Sequence, residues 1–278
     1  MAARYDLHTH SVRSDGTTTP AEIAEEAASI GLAGFALTDH DTVEGWAEAR
    51  AAAAASGIDF LPGMEITTRD AGRSTHLLAY GIDPEAPELM AALARVREAR
   101  VGRAREMVGL LSADYAIDWA SVLEDGDDRT VGRPHIADAL VTAGYFLDRT
   151  AAFADVLRPG SPYYLPTYAI ETEDAIRMVR DAGGVPVLAH PAAGRHSRAV
   201  DTGALRRFVD AGLWGIELEH PENRAEWLPQ LAELASHHGL HATGASDYHG
   251  TGKANRLGEC TSSAETWQAI RALAAVKR

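Results

Sequence analysis

The chain has 278 residues, 46% hydrophobic and 24% charged, enough for a full core in one large domain with an appended subdomain. Its net charge of -14 argues against a basic surface that grips long nucleic acid, so long-duplex DNA is not an expected partner. A single cysteine excludes an intrachain disulfide and a cysteine-ligated zinc cluster, and with only Lys253 and Lys277 no mid-chain lysine is available for a Schiff base or carbamate.

Residues 5–8 read as a strand that runs into His8-Thr9-His10. Alternate strand residues share a face, so His8 and His10 reach into one space, with Asp15 a short turn further on. Thr19-Pro20-Ala21-Glu22 is a capping box with proline at the first helical position, opening a helix to Ile30. Residues 35–38 are strand-like and lead into Asp39-His40-Asp41, whose aspartates read as helix caps. Residues 43–56 form an alanine-rich helix. Strands at 60–66 and 75–80 carry Glu65 near the end of one and His76 near the start of the other.

Between residues 84 and 166 nothing reads clearly as a strand. Leu89, Leu93, Val96, Val108 and Leu111 mark a long, arginine-rich helix, and shorter helices are expected around 136–142 and 150–157. This stretch is expected to be a helical insertion, a lid on a domain made of 1–83 and 167–278. The strand–helix rhythm then returns. Helices are expected at 172–182, 204–211, 224–237 and 264–275, with strands at 185–189, 215–218 and 241–245. Such alternation points to a parallel, barrel-like α/β fold.

The polar residues fall in register with the strands. His8 and His10, Asp39-His40, Glu65, His190, and Asp247 with His249 lie at or just past C-terminal strand ends, where α/β barrels place active sites. His76 is the exception, at a strand start. So many histidines and carboxylates buried together without a cation would carry a large desolvation cost, so metal binding is expected. The opening MAARYDLHTH lacks the apolar stretch of a signal peptide, and no apolar run approaches membrane-spanning length. A cytoplasmic address and no membrane partner are therefore expected. The nucleotide-binding G-x-x-x-x-G-K-[ST] and G-x-G-x-x-G signatures and the nucleophile-elbow G-x-S-x-G are absent from the sequence.

Four ordered motifs stand out: HTH at 8–10, TDH at 38–40, AHP at 189–191 and SDYH at 246–249. With them the chain resembles, over nearly its whole length, the PHP (polymerase and histidinol phosphatase) family of metal-dependent phosphoesterases. The segments GRPHIADAL, AHPAAGR and GIELEHPE resemble the nucleotide phosphatase and exoribonuclease branch, which acts on 3',5'-bisphosphonucleotides and on RNA 5' ends. The resemblance implies a distorted (β/α)7 barrel holding two to three divalent metal ions. By motif, a first metal takes His8, His10, Glu65 and Asp247; a second shares Glu65 and adds His76 and His190; a third takes Asp15, His40 and His249.

Mixed nitrogen and oxygen ligands without thiolate suit manganese, with iron or zinc as alternatives. Such a centre would activate water against phosphorus and neutralise the equatorial oxygens, with Asp247 as the candidate for proton handling. Resemblance to the branch also implies substrate binding by Arg133, His135 and Arg195, arginine's planar fork being suited to phosphate. Glu219-His220 would stand behind the metal ligands. The implied activity is phosphate-monoester hydrolysis on small nucleotides, with short RNA as a further partner. Histidinol-phosphate phosphatase and a non-catalytic PHP regulatory module are the competing readings. The full set of candidate ligands counts against the second.

Overall fold

A computed structural model describes residues 2–123, 130–193 and 199–275. In chain order come β1 (Arg4–Thr9), α1 (Pro20–Ser29), β2 (Gly34–Leu37), α2 (Trp46–Ser56), β3 (Asp59–Asp70) and β4 (Arg73–Tyr80). Four helices follow: α3 (Pro87–Leu111), α4 (Trp119–Val122), α5 (Arg133–Thr142) and α6 (Arg149–Ala154). Then come β5 (Ile170–Glu171), α7 (Thr172–Asp181), β6 (Val185–Leu188), α8 (Thr202–Ala211) and β7 (Gly215–Glu219). The chain closes with α9 (Leu228–His237), β8 (His241–Gly244), β9 (Ser262–Ser263) and α10 (Ala264–Ala275).

The strands are hydrogen-bonded in the order β8-β7-β6-β4-β3-β2-β1, with the short β9 added beside β1 and β5 beside β3. Backbone bonds close the wall: the His10 N–H donates to Tyr248 O at 2.8 Å, and the Tyr248 N–H to His8 O at 3.3 Å. The result is a distorted α/β barrel. All four residues of β2 and of β6 are buried, as expected of strands covered on both faces.

One strand departs from the expected parallel pattern. β4 runs antiparallel to both β3 and β6, while the other barrel neighbours are parallel. The cause is local. Ala71 (φ 48°) and Gly72 (φ 78°) form a two-residue turn with left-handed backbone, the geometry of a tight hairpin. A hairpin can pair only antiparallel, so the start of β4 lies at the same end of the barrel as the C-termini of its neighbours.

Two helix starts also differ from expectation. α2 begins at Trp46 behind Gly45, and no side chain caps it. Asp39 and Asp41 are used elsewhere. α9 begins at Leu228, with Pro229 in its first turn, where a missing N–H costs nothing.

Among the described residues, helices alone lie between β4 and β5. Leu89, Leu93 and Val96 of α3 belong to the barrel's apolar cluster. Further along α3, Met107, Val108 and Leu111 pack instead with Ile136, Leu140 and Leu157 in a separate cluster. A part-buried link ties this part to the barrel. Arg149 donates twice to Asp138 (2.6 and 2.7 Å) and once to Asp15 O at 2.9 Å. No helix among the described residues is long and apolar enough to cross a membrane.

Candidate active site

The alternation of β1 puts His8 and His10 on one face, and both are fully buried at the mouth of the barrel. Glu65, at a position of β3 facing the same mouth, is their hub. Its Oε2 lies 3.4 Å from His8 Nε2, 3.2 Å from His10 Nε2 and 3.2 Å from His40 Nδ1. Its Oε1 lies 2.6 Å from His76 Nδ1 and 2.9 Å from His190 Nε2. His76 reaches this cluster from a strand start because β4 is reversed.

Asp247 Oδ1 completes a second corner, 3.5 Å from His8 Nε2 and 3.3 Å from His10 Nε2. Asp15 gathers the third, with His249 Nε2 at 3.3 Å, His10 Nδ1 at 3.6 Å and His40 Nε2 at 3.6 Å. All nine residues expected from the motifs thus meet at one end of the barrel. The grouping is more interlocked than three separate sets. His10 faces both the Asp247 and the Asp15 corners, and His40 lies between Asp15 and Glu65.

Neighbouring side chains hold the loops that carry these groups. Asp39 accepts from Ser11 N (2.7 Å), Ser11 Oγ (2.7 Å) and Ser14 Oγ (2.6 Å), which shapes the turn that presents Asp15. Asp41 accepts from Thr67 N and Thr67 Oγ1, both at 2.7 Å. Asp6 accepts from Ser246 N (3.0 Å) and Ser246 Oγ (2.5 Å), which fixes the residue before Asp247. Asp41 (φ 56°), His190 (φ 28°) and Asp247 (φ 54°) all have left-handed backbone, strain concentrated where function is expected.

The electrostatics demand positive charge. Burial alone would raise the Glu65 carboxyl, but His76, His40 and His8 hold it well below its ordinary range. Burial likewise opposes ionisation of Asp247, which Lys253, His8 and His249 hold well below the usual carboxylate range. Burial would lower His10, yet hydrogen bonds to Asp247 and Glu65 carry it up to about 9.

Protons alone satisfy this cluster poorly. His8 Nε2 and His10 Nε2 face each other at 3.1 Å, where at most one proton fits. Among the described residues His40 Nδ1 is buried without a hydrogen-bond partner. Nitrogen and carboxylate oxygen donors converge within 4.8 Å in several overlapping groups, so the residues fit a cluster of divalent cations.

Two participants, Glu217 and Lys253, were not expected from the sequence. Glu217, fully buried in β7, lies 3.1 Å from His8 Nδ1. The neighbouring Glu219, singled out in the sequence, is exposed. His220, which was expected to stand behind the ligands, is buried, and its Nε2 lies 3.5 Å from Asp247 Oδ2. Lys253 Nζ is 2.5 Å from Asp247 Oδ2 and 3.2 Å from Glu222 Oε1. One signal could have found Glu217: strand alternation gives 215, 217 and 219 one face, with Glu217 the central charged residue of GIELE.

Of the expected substrate contacts, Arg133 and His135 open α5. His135 is buried, and its Nδ1 accepts from Gly132 N at 3.1 Å, capping its own helix. Arg133 Nη1 donates to Leu157 O at 3.2 Å, and its guanidinium lies over the rings of Phe153 and Tyr164. Arg195 lies outside the described residues.

The PHP domain family matches residues 6–122. A 3',5'-nucleoside bisphosphate phosphatase of Chromobacterium violaceum is 37% identical over 261 residues, covering 91% of this chain and 90% of that protein. This chain belongs to the PHP domain family. Another relative is a 5'-3' exoribonuclease of Haemophilus influenzae, 33% identical over 90% of this chain and 91% of its own. A crystal structure from Bifidobacterium adolescentis, given the provisional description of a metal-dependent phosphoesterase, superposes with a TM-score of 0.94. It is 42% identical and covers 97% of this chain and 96% of that one. As a PHP protein the chain is a hydrolase of phosphoric esters, metal-dependent, with a histidine–carboxylate cluster fit to hold the metal.

Proposed function

We propose that the chain removes a phosphate from small nucleotides, with 3',5'-bisphosphonucleotides as the preferred substrate. The observation that carries this reading is the convergence of nine metal-type ligands beside an arginine-bearing insertion, in a chain 37% identical to a 3',5'-nucleoside bisphosphate phosphatase. In this reading His8, His10, Glu65 and Asp247 hold one divalent cation. Glu65, His76 and His190 hold a second, and Asp15, His40 and His249 a third. The donor chemistry favours manganese, with iron or zinc as alternatives. Bound cations supply Lewis acidity toward the phosphoryl oxygens and bring the pKa of water toward neutrality.

The chain's own residues supply the rest. Glu217 fixes the ring plane of His8, and Asp6 and Asp39 hold the loops that carry Asp247 and Asp15. Asp247 is the group assigned to take the proton from the attacking water, with Lys253 and His220 beside its Oδ2. Arg133, on α5, is assigned to the substrate, and the insertion 84–166 serves as a lid over the mouth. The single cysteine favours a cytoplasmic address.

Short RNA is a second substrate class, favoured by the identity to the Haemophilus exoribonuclease. A phosphate-release screen with manganese present, across nucleoside 3',5'-bisphosphates, 5'-phosphorylated oligoribonucleotides and histidinol phosphate, tests the reading. The highest kcat/KM is expected on a bisphosphonucleotide. Preference for histidinol phosphate would reassign the substrate, and no release from any of them would leave a regulatory module.

A further inference from the structure

Arg149 opens α6, whose start is fixed by Asp148: its Oδ1 accepts from Ala151 N at 2.8 Å. The Arg149 side chain is 14% exposed against 44% for its partner Asp138, so it belongs to the interior of the joint between α6 and the barrel. Nε and Nη2 donate to the two oxygens of Asp138 on α5, a forked ion pair that fixes the plane of the guanidinium. Nη1 is left for the barrel, where it donates to Asp15 O at 2.9 Å.

A second barrel loop meets the same guanidinium. Gly252 closes the turn Gly250–Gly252 that follows His249, and a Cβ placed on it would lie 2.8 Å from Arg149 Cζ. The three atoms that such a Cβ would first meet all belong to Arg149. The two loops are also knitted to each other. Thr17 N donates to His249 O at 3.1 Å, and Thr251 N to Thr17 Oγ1 at 2.8 Å. One side chain of α6 therefore bears on both loops that bring Asp15 and His249 together, with His249 Nε2 3.3 Å from Asp15 Oδ1. By contrast, the supports of Asp247 and His8 lie on barrel strands, Asp6 in β1 and Glu217 in β7. Charge matters as well as shape. A lone guanidinium beside a group suited to a cation would repel it, and Asp138 offsets that charge at 2.6 and 2.7 Å.

We propose that Arg149 is a positioning residue for the donor group of Asp15, His40 and His249, so that docking of α5 and α6 on the barrel and cation occupancy of that group favour each other. This rests on the third-cation assignment made above and deepens it. A partner standing behind a ligand changes metal affinity without touching the metal. Coupling between two binding events is reciprocal, so a bound cation holds α6 down by the same factor by which α6 holds the cation.

The test reads manganese held per chain against graded EDTA, for wild type, Arg149→Gln, Asp15→Asn and the double variant. Arg149→Gln is expected to release one equivalent at about ten-fold lower chelator than wild type, the lower end of the usual effect of a residue behind a ligand. The remaining equivalents should be held as in wild type. Asp15→Asn is expected to lose the same equivalent, so the double variant should lose no more than Asp15→Asn alone. Should Arg149→Gln not fold, Gly252→Ala serves in its place. The backbone there is not left-handed, so the added methyl acts on the guanidinium, and the same equivalent should weaken.

A second readout separates positioning from mere support. Hydrogen exchange of the α6 amides should slow by about ten-fold on manganese loading in wild type, and loading should make no difference in Arg149→Gln. A purely structural arginine would, when lost, speed exchange equally with and without metal. Unchanged retention in Arg149→Gln while Asp15→Asn loses an equivalent overturns the positioning role and leaves the third cation standing. So does a further equivalent lost by the double variant, or exchange in wild-type α6 that is indifferent to manganese. No loss in Asp15→Asn removes the third-cation assignment itself, and the role of Arg149 with it.

Discussion

Glu217 Oε1 lies 3.1 Å from His8 Nδ1, and Oε2 of the same carboxylate accepts the backbone N–H of His190 at 2.8 Å. One buried side chain therefore sets the ring of His8 and the backbone of His190, two of the groups assigned to the metals. A carboxylate behind a ligating imidazole fixes its tautomer and raises its basicity, and losing such a partner usually costs 10- to 100-fold in metal affinity. Glu217→Gln is therefore expected to weaken metal retention by roughly that factor, read by competition with a chelator of known affinity. Retention equal to wild type would show that His8 is oriented without it.

The cluster is expected to hold more than one transition metal per chain. Elemental analysis of protein produced in metal-replete medium should find at least about two equivalents, given the overlapping donor groups at this mouth. Stripping with a chelator should lower the thermal midpoint, because a ligand of the folded state alone stabilises it by mass action. A protein that retains no metal and shows no metal-dependent turnover would contradict the assignment.

Asp247→Asn should nearly abolish turnover while the fold survives. The backbone of Asp247 is left-handed (φ 54°), a conformation that asparagine tolerates about as well as aspartate. The side-chain volume is kept, so the loss would report the carboxylate charge. Circular dichroism and thermal melting check the fold, and near-normal kcat would remove Asp247 from the reacting centre.

Asp41→Ala tests the joint between α3 and the barrel. The Asp41 side chain is fully buried, accepts from Arg100 Nη1 at 2.9 Å, and also holds Thr67. Removing one partner of a buried ion pair strands the other, at a cost of about 3–5 kcal/mol. Alanine at φ 56° adds backbone strain. A fall in thermal midpoint on the order of 10 °C is expected for a chain of this size. A fall near zero would mean that α3 docks by apolar packing alone.

Cys260 gives a prediction about pH. Burial, with Glu259 and Glu219 nearby, pushes its thiol up to about 11. The thiolate is the reactive form, so native protein should alkylate slowly at pH 7 and progressively faster as pH rises toward that value. Unfolded protein should react roughly 100-fold faster at the same pH, the thiol then returning to its ordinary value near 8.5. Equal rates for folded and denatured chains would contradict the shift.

The sequence made most of the cluster legible because strand ends punctuate an α/β chain. His8, His10, His40, His190, Asp247 and His249 sit at those ends, and the barrel brings them together. His76 looked out of place until β4 was seen to run backward, a consequence of the Ala71-Gly72 turn that the strand pattern alone does not announce. Glu217 was hidden for a different reason. It lies within β7, where alternation puts 217 and 219 on one face; a register break against β8 between the two leaves Glu217 buried and Glu219 exposed.

The reversal of β4 also dictates how α3 climbs back from the floor. β4 ends beside the start of β6, with Tyr80 opposite Val185, so the chain leaves the barrel at its floor. To return, it uses α3, whose 25 residues rise about 37 Å. The helix works as a mast stepped at the floor: Leu89, Leu93 and Val96 bind it to the wall, and the portion above carries the helices beyond. A mast of this kind transmits angle as well as height. One residue added between Val96 and Arg97 would turn everything above it by about 100° and swing Arg97 and Arg100 away from Asp41. The length of α3 is therefore an indexing element, tolerant of a changed side chain on its outer face and intolerant of a changed count.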